Sequence, residues 1–140
     1  MRRGLAHLWI MLVLTACAAD APPAPPTEEP WVRAVRATPS FSSDIQEIFT
    51  RRSCTVSGCH GAAATLPLTT GLAYSALVNA PSVAEVGIRV VPGDVTASYL
   101  MRRVDGTQAV GSRMPLGGLP LDSIDVANLR NWIQQGARRN

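Results

Sequence analysis

Cys54-Thr55-Val56-Ser57-Gly58-Cys59-His60 is the stretch on which the reading of this 140-residue chain turns. Two thiols separated by four residues, with an imidazole directly behind the second, form a C-x4-C-H pattern. Covalent haem c attachment uses this logic: two cysteines add to the haem vinyl groups as thioethers and the adjacent histidine ligates the iron. The usual spacing is C-x-x-C-H, so the two extra residues must bulge, and Ser57-Gly58 supplies backbone freedom for that. A Cys54–Cys59 disulfide is the competing reading, because paired thiols oxidise outside the cytoplasm. Zinc lacks a fourth ligand, since no second Cys/His cluster exists. A cysteine nucleophile lacks a second histidine as base.

Working outward, residues 43–51 are expected to be helical. Ser43 and Gln46 make a capping box, and Phe41, Ile45, Ile48 and Phe49 share one face. Beyond the motif, the expectation is a short helix at 73–79, an extended piece at 88–91 closed by Pro92-Gly93, and a helix from an Asp94 N-cap to Val104. Residues 105–120 hold four glycines and two prolines and read as a long functional loop. A last helix starts after Asp122, turns Val126, Leu129, Trp132 and Ile133 inward, and ends at Gly136. The fold class is all-α: a small domain over 41–140, with amino- and carboxy-terminal helices enclosing a loop-rich middle. About 100 residues suffice for one such core. A composition of 46% hydrophobic and 16% charged residues fits a globular chain.

The amino terminus sets the compartment. Arg2 and Arg3 precede an apolar run over 5–14, about half the length a bilayer span requires, which ends at Leu14-Thr15-Ala16-Cys17. Residues 1–16 therefore read as a signal peptide. The Leu-x-Ala-Cys sequence resembles a bacterial lipobox, which makes Cys17 the lipidated new amino terminus; a plain signal peptide cut nearby is the alternative. Residues 17–40, with Ala-Pro-Pro-Ala-Pro-Pro at their centre, read as an extended Pro-rich tether. Leader removal leaves eleven arginines against ten acidic residues, and a charge of +1 makes no electrostatic case for nucleic acid. It also leaves His60 as the sole histidine.

A second axial ligand must then be a methionine. Met101 falls inside the predicted 94–104 helix, where a core role is the commoner one. Met114 stands in Arg113-Met114-Pro115-Leu116-Gly117-Gly118, in the long loop, between a proline and glycines that permit close approach to a flat group.

The stretch 41–140 resembles a class I c-type cytochrome domain, and more narrowly the cytochrome-c-like modules of planctomycete and myxobacterial exported lipoproteins. The resemblance rests on Ile48-Phe49, Gly58-Cys59-His60-Gly61, Arg89-Val90-Val91-Pro92-Gly93-Asp94, Ser98-Tyr99-Leu100, Arg113-Met114-Pro115 and Trp132-Ile133-Gln134-Gln135-Gly136-Ala137, in that order. It implies one covalent haem c held by Cys54 and Cys59, with His60 as proximal and Met114 as distal iron ligand. Six ligands leave no open position, so the expectation is single-electron transfer between redox protein partners rather than an enzyme; peroxidase-like chemistry would need Met114 to leave. His60 is expected to donate its second ring N–H to a backbone carbonyl, with Pro67 the candidate. Arg89 and Arg113 are candidates to pair with the haem propionates, since guanidinium matches carboxylate. Arg51, Arg52, Arg102 and Arg103 are left as solvated charge, a docking patch at most. The location implied is a lipid anchor in the cell envelope facing the periplasm or the surface; Ala18, in place of an aspartate after Cys17, mildly favours the outer membrane. A non-redox interaction lipoprotein closed by a Cys54–Cys59 disulfide is the alternative.

Overall fold

The computed structural model describes residues 33–140, which form one compact unit. The leader, Cys17 and the first part of the tether lie outside the described residues. No described helix is long and apolar enough to cross a membrane.

The described chain is helical, and its extended parts pair only through isolated bridges. A π-helical turn at Phe41–Ile45 leads into α1 (Gln46–Arg51). Then come α2 (Ala73–Leu77), α3 (Tyr99–Asp105) and α4 (Ser123–Gln134). The first helical stretch starts at Phe41, ahead of the expected Ser43–Gln46 capping box. Asp44 accepts the Ser40 N–H at 2.7 Å instead, and Asn140 caps from outside, its side-chain oxygen taking the Phe41 N–H and its backbone oxygen the Ser42 N–H, both at 2.9 Å. Gln46, freed from capping, is buried and donates to the Leu68 carbonyl at 2.8 Å.

The helix expected from 94 starts at Tyr99. Asp94 caps only a turn, accepting from Ala97 N–H at 2.9 Å, and the buried Ser98 hydroxyl donates to the Asp94 carbonyl at 2.6 Å and accepts from Val91 N–H at 2.9 Å. These side-chain bonds hold the backbone out of the helix until position 99. The extended piece at 88–91 is present. Arg89 N–H donates to Ala80 and Val90 N–H to Leu77 on one side, while Ile88 and Arg89 carbonyls accept from Tyr99 and Leu100 on the other.

α4 follows its sequence signals. The Asp122 carboxylate caps it, accepting from Ile124 and Asp125 N–H, both at 3.1 Å. Gly136, at φ +93°, ends it in a Schellman motif, with Gly136 N–H on Ile133 O and Ala137 N–H on Trp132 O, both at 2.9 Å. Leu129, Trp132 and Ile133 are buried as expected, and Val126 packs against the core from a half-buried position. Phe41, Tyr74 and Trp132 meet at the centre, with Phe41 lying 5.1 Å from Tyr74 edge-to-face and 5.3 Å from Trp132.

Residues 33–40, assigned to the tether from composition, pack on α4. Asn128 accepts from Arg36 N–H at 2.7 Å and donates to Ala34 O at 3.0 Å; Asn131 donates to Arg36 O at 2.7 Å; and Gln135 reaches Ala37 O. Residues 33–40 are thus packed with 41–140 in one unit.

Candidate functional site: the Cys–His and methionine loops

α1 delivers the Cys54–His60 loop. Arg52 closes the helix, Ser53 takes a left-handed conformation at φ +56°, and Cys54 N–H bonds Phe49 O at 2.8 Å while Ser53 N–H bonds Thr50 O at 3.1 Å. This is a second Schellman stop, and it sets Cys54 against the edge of the core. The loop then closes on itself through His60 N–H on Cys54 O and Cys59 N–H on Val56 O, both at 3.1 Å. Gly58 sits at φ +86°, the flexible position expected in the longer spacing. Gly61 admits no side chain cheaply, because a Cβ there would meet the Val56 carbonyl at 3.3 Å.

Cys54 and Cys59 are free thiols, the first half-buried and the second exposed. Burial is the main cause that pushes the Cys54 thiol above its ordinary value, with the nearby Arg52 charge acting the other way.

His60 Nδ1 lies 2.9 Å from the Leu66 carbonyl. The accepting residue is thus Leu66, one position before the expected Pro67. A carbonyl only accepts, so Nδ1 carries the proton and the lone pair of the neutral ring sits on Nε2. Leu68 N–H returns to His60 O at 2.8 Å, and Gln46 holds the Leu68 carbonyl, so the His60 backbone is tied to α1 through two successive bonds.

Met114 is half-buried in the loop between α3 and α4, with its N–H on the Arg103 carbonyl at 2.8 Å. Met101 is buried in the core on α3. Arg52 Nη2 donates to the carbonyls of Leu119 and Pro120, both at 2.7 Å, so the methionine loop is fastened next to the Cys–His loop. Val56 in the first loop and Leu116 and Leu119 in the second expose apolar side chains, Leu116 at 70% and Leu119 at 80%.

The arginines depart most from expectation. Arg89 donates to the Ala76 carbonyl at 2.8 Å and braces α2. Arg113 is exposed, with its side chain over Gly106. The four arginines left as solvated charge are all engaged. Arg51 pairs with Glu47 at 2.7 Å and Asp125 at 2.6 Å, Arg102 pairs with Glu85 at 2.8 Å, and Arg103 donates to Val110 O at 3.2 Å. Arg52 holds the two loop carbonyls. Sequence reading missed Asp125 as well, which is 1% exposed and binds Arg33 at 2.9 Å besides Arg51. An acid at an inward position of an amphipathic helix was the available signal.

Among the described residues no group of three or more His, Cys, Asp or Glu side chains is arranged to hold a metal ion directly. Compared with protein-family models, curated proteins and solved structures, the chain matches none.

Proposed function

We propose that this chain is a monohaem c-type cytochrome, an exported lipoprotein that carries single electrons between redox partners in the cell envelope. The observation that carries the reading is the bond from His60 Nδ1 to the Leu66 carbonyl, placed directly beside two free thiols. Such a bond fixes the tautomer of a histidine in any role, so its weight here comes from the neighbouring thiols of the C-x4-C-H motif: the fixed Nδ1–H leaves Nε2 free to act as the ligand atom.

The donor set fits haem c. Cys54 and Cys59 would hold it covalently, and His60 and Met114 would supply the imidazole nitrogen and the thioether that bind its iron. Bound there, haem c supplies an iron that takes up and releases one electron. The chain's own residues do the rest. The Leu66 carbonyl makes the imidazole a stronger donor, and a soft thioether favours the reduced state relative to a second imidazole. Val56 in one loop and Leu116 and Leu119 in the other are exposed apolar side chains that would help exclude water from a flat ligand held between the loops, and such burial would stabilise the lower-charged reduced form. Cys17 would anchor the chain through its lipid.

The test is expression of the full chain with cytochrome c maturation machinery. The expected product is a coloured protein that keeps its haem under denaturing conditions and shows the reduced α band of a c-type centre. Met114→Ala should abolish the methionine–iron charge-transfer band; an unchanged band would move the distal role to Met101. A colourless product with Cys54 and Cys59 joined in a disulfide would overturn the proposal in favour of an interaction lipoprotein.

A further inference from the structure

We infer that Arg52 is a positioning residue that fixes the distance between the Met114 loop and the Cys54–His60 loop; this rests on the haem reading above. Arg52 belongs to the first loop by sequence. It caps α1, with its N–H on Ile48 O at 3.0 Å, stands two residues before Cys54, and places its own carbonyl 3.9 Å from the Cys54 sulfur. By its side chain it belongs to the second loop, through the two bonds to Leu119 and Pro120.

Nothing else does this work among the described residues. The stretch 115–120 contains Pro115 and Pro120, which have no N–H to donate, and the Gly118 N–H is used within the loop on Pro115 O at 3.2 Å. The hydrogen bonds that join 115–120 to the rest of the described chain are the two from Arg52. On the amino-terminal side of Met114 the loop is tied separately, by Met114 N–H on Arg103 O. Among the described residues, hydrogen bonds therefore hold Met114 upstream through α3 and hold 115–120 through Arg52, before Leu121 packs against the core.

The guanidinium accepts a cost for this placement. Arg52 Nε is buried without a hydrogen-bond partner, an arrangement a freely solvated arginine would relieve by turning outward. It stays because one terminal nitrogen can satisfy two adjacent carbonyls of a loop that has few donors of its own. By contrast, the Cys54–His60 loop closes by its own backbone bonds, the His60 ring is held by Leu66 and the His60 backbone through Leu68 and Gln46, so none of that support depends on the Arg52 side chain.

The experiment compares the full chain with Arg52→Ala and Arg52→Lys, with and without haem. In haem-free protein with reduced thiols, exchange of the Met114 and Gly118 amides, the hydrogen-bonded ones on either side of Pro115, should accelerate about tenfold in Arg52→Ala, the effect of losing a bond of ordinary net strength, while 54–68 stays protected. Lys carries three donors on a shorter reach and should restore part of the protection. In haem-loaded protein, haem content should equal that of the wild type, and the pH at which the methionine–iron band disappears should fall in Arg52→Ala. Should Arg52→Ala fail to fold, Arg52→Gln takes its place in the same comparison. Unchanged exchange at both Met114 and Gly118 in the folded variant overturns the inference. So does an unchanged band transition, whatever the exchange. A wild-type chain without any methionine–iron band removes methionine ligation, and a colourless one removes the haem reading; in either case the exchange comparison still decides whether Arg52 holds the loop.

Discussion

The two loops of the candidate site are built on opposite principles. The Cys54–His60 loop is closed by its own backbone, and its histidine is oriented by a carbonyl six residues on. The methionine loop, rich in glycine and proline, holds few bonds of its own and is kept in place by Arg103 on one side and Arg52 on the other. A loop that must present three groups in fixed relation gains from local closure. On the proposed reading, the second loop presents a single flexible thioether and tolerates support from outside, because methionine adapts to its surroundings. The two loops meet at their roots: Arg51 ends the helix before the first, and Asp125 opens the helix after the second.

The largest expected effect comes from breaking that joint. Asp125→Ala removes an acid that is 1% exposed and pairs with Arg33 and Arg51. Breaking a buried ion pair costs about 3–5 kcal/mol, and the lower end applies because both arginines can rehydrate. A loss of about 3 kcal/mol in urea unfolding is expected. A loss under 1 kcal/mol would mean that the loop roots are held by packing alone.

A smaller effect is expected at the exit of the methionine loop. Asp122 caps α4 and pairs with Arg33 at 2.7 Å. The Asp125 N–H first, then Arg33, hold its carboxyl below the ordinary value of 3.8. A carboxyl depressed by folding stabilises the folded state above its unfolded pKa and loses that contribution as pH falls through its folded value. The loss therefore falls below about pH 3.8. Asp122→Ala should cost about 1 kcal/mol at neutral pH. Asp122→Asn keeps a capping oxygen and should cost less, but its stability should fall less steeply with acid than that of the wild type. Identical acid slopes for the two would show that the charge contributes nothing.

The same contrast explains what could be read from sequence. α4 was legible from Asp122 to Gly136 because cap, apolar spacing and stop all act within a few residues. The Gly58 bulge and the core position of Met101 were legible for the same reason. The late start of α3 was not, because Asp94 is a good cap in isolation and the competing bonds come from Ser98. Nor was the packing of residues 33–40, where Asn128, Asn131 and Gln135 look like an ordinary polar face until a partner about 95 residues away lies along it. Arg52 belongs to this class too, since a guanidinium bonded to carbonyls 67 and 68 residues on leaves no local trace. The self-closing loop could be anticipated, its histidine bond to within one residue; the loop held from outside could be located but not fastened.

The smallest effect is at the entry of the Cys–His loop. Both α1 and α4 end in Schellman motifs, yet α4 uses Gly136 at its left-handed position and α1 uses Ser53 at φ +56°. A side chain there meets the steric penalty that glycine escapes, of roughly 1 kcal/mol, partly offset by the greater freedom glycine restores to the unfolded chain. Ser53→Gly should therefore raise stability by about 0.5 kcal/mol, read as a higher urea midpoint at unchanged slope. Among the described residues the Ser53 hydroxyl makes no hydrogen bond that this change would forfeit, so a loss of stability would mean that its Cβ stiffens the turn that aims Cys54. In haem-loaded protein the same variant gives a second reading. If local closure of the loop is what sets the thiols, the bonds of Cys54 N–H to Phe49 O and His60 N–H to Cys54 O survive the substitution and haem incorporation stays at the wild-type level.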